Sequence, residues 1–205
     1  QYAVLPQLLS ERLETRCVIG CSAGGVIGGG SEIEQRPGLS ITCALLPDVQ
    51  ITPFHFDNSL LPDLDASPQE WEELVHVGRE KSPQFLLITD PFTVQTDNLI
   101  MGLDYAFTDS IKVGGMASGG SRHGDNALIL NGETYRSGAI GLAFSGDLAI
   151  DPIVAQGCRP IGEFMRVTKA QHNLLIELEG APTLEVIRLS LIHISEPTRP
   201  RLISY

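Results

Sequence analysis

Aromatic side chains are scarce in this chain, at 6% of 205 residues, and no apolar run approaches the roughly 18 residues that a membrane-crossing helix requires. A membrane-spanning role is therefore not expected. Positive charge is also short: 14 Lys and Arg stand against 25 Asp and Glu, a formal net charge of −11. With no basic cluster, neither a nucleic-acid backbone nor an anionic membrane surface is an expected partner. Cysteine is limited to Cys17, Cys21, Cys43 and Cys158, without a C-x-x-C spacing. Small hydrophobic thiols in a reducing compartment are the simplest reading, with zinc ligation or a disulfide as alternatives. The chain opens on Gln1 without a signal-peptide pattern and reads as a fragment, so targeting is not readable.

What the chain has in quantity is glycine, 21 residues, and much of it is duplicated. The octapeptide Val18-Ile19-Gly20-Cys21-Ser22-Ala23-Gly24-Gly25 returns without a gap, 95 positions later, as Val113-Gly114-Gly115-Met116-Ala117-Ser118-Gly119-Gly120. A second echo, Arg36-Pro37-Gly38 and Arg136-Ser137-Gly138, is spaced by 100 positions, so the later copy carries extra residues between its landmarks. Each octapeptide places a glycine-rich turn at the end of a strand. Two such turns can face each other and bound a pocket.

Apolar spacing supplies the elements around those turns. Pro6 to Arg16 predicts a helix with Leu8, Leu9 and Leu13 on one side, and Cys17 to Cys21 a short buried strand. Glu32 to Glu34 suits a short strand, Leu39 to Leu46 a longer one, and Gln50 to Phe56 an edge strand. Ser67, with Pro68 after it and Glu70 three residues on, has the pattern of a helix N-cap. The helix it starts would turn Trp71, Leu74, Val75 and Gly78 inward. Gln84 to Thr89 predicts a buried strand, and Asp97 to Asp109 a second amphipathic helix leading into the second glycine turn. Ala127 to Leu130 and Gly138 to Leu148 read as strands around the turn signal Asn131-Gly132. Beyond Gly157, Arg166 to Lys169 and Leu174 to Leu178 are strand candidates, followed by a helix start at Thr183. The expected class is α+β (mixed α/β), built from two copies of a helix, strand, glycine-turn and strand-pair unit forming mixed sheets.

The ordered landmarks resemble the FIST (F-box and intracellular signal transduction) sensory domain family. They are Val18 to Gly28, Val113 to Ser118, Gly138 to Gly146, Gln156 to Gly162 with Val167 to Ala170, and Glu177 to Pro182. The resemblance covers residues 1–188. It implies an N-terminal domain over 1–156, with the internal duplication at about 1–56 and 97–152, and the truncated start of a C-terminal domain over 157–188. It implies a soluble, intracellular and cytoplasmic sensory module that binds a small ligand, possibly an amino acid or another small polar metabolite. It also implies two alternatives: the substrate-recruiting module of an F-box type ubiquitin ligase, and a haem-based nitric-oxide sensor. No F-box or signalling output domain is visible in the chain. Residues 189–205 stand apart, because Leu189 to Pro200 (LSLIHISEPTRP) resembles a translated sequencing adapter. His193 and Ser195 are accordingly assigned no role.

The candidate ligand-binding residues are Gly20, Cys21, Ser22, Ala23, Gly24 and Gly25 in the first turn. In the second they are Gly114, Gly115, Met116, Ala117 and Ser118, with Arg122 in the inserted loop as a charge reader. Glycine lets ligand atoms approach backbone N–H groups, and such turns make anion-holding concavities. The competing reading is that the small residues serve tight packing between the copies. Neither turn has the G-x-G-x-x-G spacing of a dinucleotide site. A nucleophilic Cys21 or Ser22 would need a base within reach, and the second copy carries Met116 and Ala117 instead, so no enzymatic role is expected. His55, His76 and His123 are each candidate haem ligands or plain surface histidines. Asp90-Pro91 reads as a strand-ending device. No metal site is expected.

Overall fold

A computed structural model describes residues 4–154, 164–171 and 174–194. The chain divides into two compact units, residues 1–152 and 153–205. The first unit begins with helix α1 (Leu5–Leu13), strand β1 (Ile19–Cys21), and a hairpin of β2 (Gly25–Gly28) and β3 (Ser31–Glu34). It continues with β4 (Val49–Phe56), helix α2 (Pro68–Val75), β5 (Gln84–Thr89), helix α3 (Thr96–Ala106) and β6 (Lys112–Met116). The hairpin of β7 (Leu128–Leu130) and β8 (Glu133–Tyr135) and the long strand β9 (Ala139–Gly146) complete it.

The central sheet has the order β4-β9-β5-β6, antiparallel except for the parallel pair β5 and β6. Alternation along its strands divides their side chains between two cores. Phe85 and Leu87 of β5, Phe54 and Phe56 of β4, and Ala139 and Ala143 of β9 face α2 and α3. They pack there against Trp71, Val75, Leu99 and Leu103. Leu86, Ile88, Ile140 and Leu142 face the other way, onto Leu128 and Leu130 of a three-stranded sheet ordered β1-β7-β8. Helices, central sheet and small sheet thus form three layers, the α+β class expected from the sequence. The helix pair depends on Gly102, whose missing Cβ leaves room for the Trp71 ring; a Cβ there would lie 2.0 Å from it.

Local signals account for several boundaries. The Ser67 N–H donates to Glu70 Oε1 at 3.1 Å, the reciprocal bond of a capping box at the start of α2. Asn131 and Gly132 both adopt positive φ, 47° and 93°, as a two-residue hairpin turn requires. That hairpin joins β7 to the short β8, however, and not to β9, which lies in the other sheet. Two further expectations fail. Residues 39–46 form no strand, and Leu39, Ile41 and Leu45 are exposed. Strand β1 is only half-buried, because it sits at the edge of the small sheet.

The second unit holds β10 (Val167–Gln171), β11 (Leu174–Leu178) and β12 (Ala181–Pro182) in an antiparallel meander, followed by helix α4 (Thr183–Ile194). Helix α4 continues past Leu189, where the adapter-like string begins. Cys158, Ser195 and the whole Gln156 to Gly162 landmark lie outside the described residues.

Candidate functional site

The carboxyl ends of the parallel strands β5 and β6 open at one edge of the central sheet, where open α/β sheets tend to place ligand crevices. Strand β6 runs into the second glycine turn there, and Ala117 N–H donates to Thr89 O at 2.9 Å. The first turn meets the second directly. Gly24 N–H donates to Ser118 Oγ at 3.2 Å, and Ser118 N–H donates to Ser22 O at 3.2 Å. Segments 95 positions apart in sequence are therefore in contact.

A buried polar network fastens this junction. Asn126, fully buried, donates from Nδ2 to Asp90 Oδ1 at 2.8 Å and to the Ala117 carbonyl at 3.3 Å. Its Oδ1 accepts from Gly120 N–H at 2.8 Å and lies 3.4 Å from Ser22 Oγ. Ser22 is locked in turn by Ala127: its N–H donates to Ala127 O at 2.8 Å, and its Oγ accepts from Ala127 N–H at 2.9 Å. The fully buried Asp90 takes a second bond, from Thr93 Oγ1 at 2.6 Å, while its N–H donates to Gly138 O. A buried carboxylate is tolerated when its oxygens have donors, and here both do. Sequence reasoning missed Asp90 and Asn126 as the tie between the turns. The available signals were an acid ending an otherwise apolar strand and an Asn immediately preceding one.

The duplicated positions keep matching environments. Ser22 and Ala117 are both buried, at 3% and 1% exposure, whereas Cys21 and Met116 both reach solvent. The glycines divide by what a side chain would meet. Gly114 has φ +156°, and a Cβ there would run into the Leu87 carbonyl; at Gly119 a Cβ would strike Ser22. At Gly24 it would press on the Ser118 carbonyl oxygen at 3.2 Å, and at Gly25 on Glu34 and Ile33. Gly20 and Gly115, counterparts in the repeat, differ from these. Neither has positive φ, and a Cβ at either would meet nothing within 4 Å.

Beside the second turn, Met116 lines a shallow cavity of about 450 Å³ with Pro91, Val94, Gln95, Thr96, Asp97 and Asn98 at the start of α3. A second hollow, of about 410 Å³, lies between β4 and α2, lined by residues that include His55, Glu70, Glu73 and His76. Arg122, by contrast, reaches into solvent and pairs with Asp125 at 3.4 Å in its own loop. The histidines are dispersed: His55 stacks on Tyr135 at 3.7 Å, His76 caps α2 with φ 57°, and His123 lies exposed in the inserted loop. Among the described residues, no group of three His, Cys, Asp or Glu is placed to hold a metal ion. No helix among them is long and apolar enough to cross a membrane.

Loss of hydration pushes the Cys21 thiol above its ordinary range. The same cause raises Cys17, where a hydrogen bond with Asn131 pulls partly the other way. Both side chains therefore favour the neutral thiol, the less nucleophilic form.

Comparison with known proteins adds a family. The sequence matches the model described as the FIST N domain over residues 1–181. It is 31% identical to the uncharacterized protein MT0656 of Mycobacterium tuberculosis over 176 residues, 86% of this chain and 44% of that one. It is 29% identical to the uncharacterized protein Mb0898c of Mycobacterium bovis over 195 residues, 95% of this chain and 48% of that one. The chain thus spans about half the length of the curated relatives it matches. No solved structure matches it.

Proposed function

The chain belongs to the FIST N domain family, a sensory family of signal transduction, and from that premise we propose that it binds a small polar solute, such as an amino acid, beside its paired glycine turns. The observation that carries this reading is the pair Gly20 and Gly115. Glycine is entropically costly within a strand, and neither backbone conformation nor packing requires it at these two positions. A Cβ omitted at both counterparts leaves the backbone open to close approach from outside. The cavity of about 450 Å³ that Met116, the neighbour of Gly115, lines falls in the size range of small-molecule sites. Helix α3 starts at its wall, where first-turn N–H groups suit a carboxylate and the Asp97 side chain suits an ammonium group, the pairing an amino acid presents.

Binding is the proposed activity, without catalysis. The exposed Cys21 is held as a thiol, and its repeat counterpart Met116 has no nucleophilic or acid–base function. Ligand occupancy would stabilise the domain and so supply the free-energy change that a signalling output needs.

The test is calorimetry and thermal shift across a panel of amino acids and small polar metabolites. A true ligand at about 100 times its Kd stabilises by roughly 2.7 kcal/mol, a rise of about 5–10 °C in Tm. Gly20→Val and Gly115→Val should keep the unliganded Tm and lose that rise. A panel without a stabilising member, or Val variants that bind as well as the parent, would sink the reading.

A further inference from the structure

The duplication is uneven in what it buries. Helix α3 and helix α1 are counterparts, with Leu99 and Leu103 matching Val4 and Leu8 at the 95-residue spacing. Leu99 and Leu103 are 0% exposed, in the core shared with Trp71 and Val75 of α2 and Phe85 of β5. Val4 and Leu8 are 69% and 45% exposed. The same contrast recurs in a strand. Residues 39–46, which follow Arg36-Pro37-Gly38, correspond to β9, which follows Arg136-Ser137-Gly138. Strand β9 lies between β4 and β5 in the central sheet. Residues 39–46 make no ladder with any described strand, and Leu45 is 94% exposed. A third echo extends the duplication into β4: Asp48-Val49-Gln50-Ile51-Thr52-Pro53 matches Asp147-Leu148-Ala149-Ile150-Asp151-Pro152.

One component accounts for both differences. The second copy is preceded by α2 and β5, which cover Leu99 and Leu103 and pair with β9; the counterpart of that unit in the first copy would fall ahead of Gln1. We propose that the exposed Val4 and Leu8 at the start of α1 and the edge of residues 39–46 are a docking surface for a helix–strand unit of the α2–β5 type. By the order of elements in the second copy, its source is a segment of the full-length polypeptide ahead of Gln1; relatives of about twice this length leave room for one. The incoming helix would cover α1 with an apolar stripe, as Trp71 and Val75 cover α3. The incoming strand would be a buried apolar one like Gln84–Thr89, adding main-chain bonds along 39–46. A second copy of this chain is the poorer occupant, because its own α2 and β5 are already engaged.

The test compares the 205-residue chain with the full-length gene product that contains it. Amide hydrogen exchange of residues 39–46 should be fast in the chain alone and slower by on the order of 100-fold in the full-length protein. Leu8→Asp and Leu45→Asp should leave the Tm of the chain unchanged and lower that of the full-length protein by about 10 °C. Equal exchange in both proteins would overturn the proposal. So would protection in the chain alone that grows with concentration, which identifies a second copy as the occupant. Protection that survives deletion of everything ahead of Gln1 would do the same, by assigning the surface to another part of the protein. None of these readouts depends on ligand binding at the glycine turns.

Discussion

Cys21 illustrates how one residue's surroundings decide its chemistry. Its thiol is pushed upward by lost hydration, so the folded state holds the proton more tightly than the unfolded chain does. The sign follows from linkage: this contribution to stability is complete below the unfolded-state pKa and is lost as pH rises through the folded one. Iodoacetamide labelling followed against pH should therefore show a higher midpoint for Cys21 in the native protein than in the same protein in urea. Rapid native labelling near neutral pH would contradict this assignment. The glycines teach a related lesson. In the sequence, Gly20, Gly24, Gly115 and Gly119 are alike; in three dimensions two are packing requirements and two adjoin open space. No spacing rule distinguishes them, since the atoms that decide come from the other copy.

Two of the side chains that join the elements at the site belong to neither glycine turn. Asn126 precedes β7 and Asp90 follows β5, and together they connect both strand ends to the first turn through Ser22. Replacing Asn126 with Ala removes a donor from a fully buried carboxylate and an acceptor from the Gly120 N–H. The expected cost is roughly 3 kcal/mol, or about 6–12 °C in Tm, measured by thermal unfolding. A loss below about 1 kcal/mol would mean that the network is open to water and does not fasten the turns. Element identity was more legible than element partnership. The Ser67 cap, the start of α2 and the bounds of β5 follow from local chemistry. The short β8 escaped notice, since three residues carry too little periodicity to register.

Across the whole chain, acidic charge outweighs basic by 11. Ion pairs such as Arg79–Glu72, Arg122–Asp125 and Lys169–Glu177 lie at the surface and contribute little each, while the nearly buried Lys112 pairs with the exposed Asp104. Self-repulsion is then the larger electrostatic effect, and it is what salt screens. Raising ionic strength from a few millimolar to about 0.15 M should raise Tm. A fall in Tm would show that attractive pairs prevail over the net charge.

The repeated glycine octapeptide, most of the layer-forming elements and the family were legible in the sequence, because glycine spacing, apolar periodicity and cap chemistry are local properties. Leu39 to Leu46 marks where that legibility ends. Its apolar pattern suits a strand, but a strand exists only when another backbone satisfies its N–H and C=O groups. Only the tertiary structure decided which copy found such a neighbour, which glycines face free space, and that Asp90 and Asn126 hold the two turns together. Those outcomes depend on contacts between residues about a hundred positions apart, which no window along the chain contains.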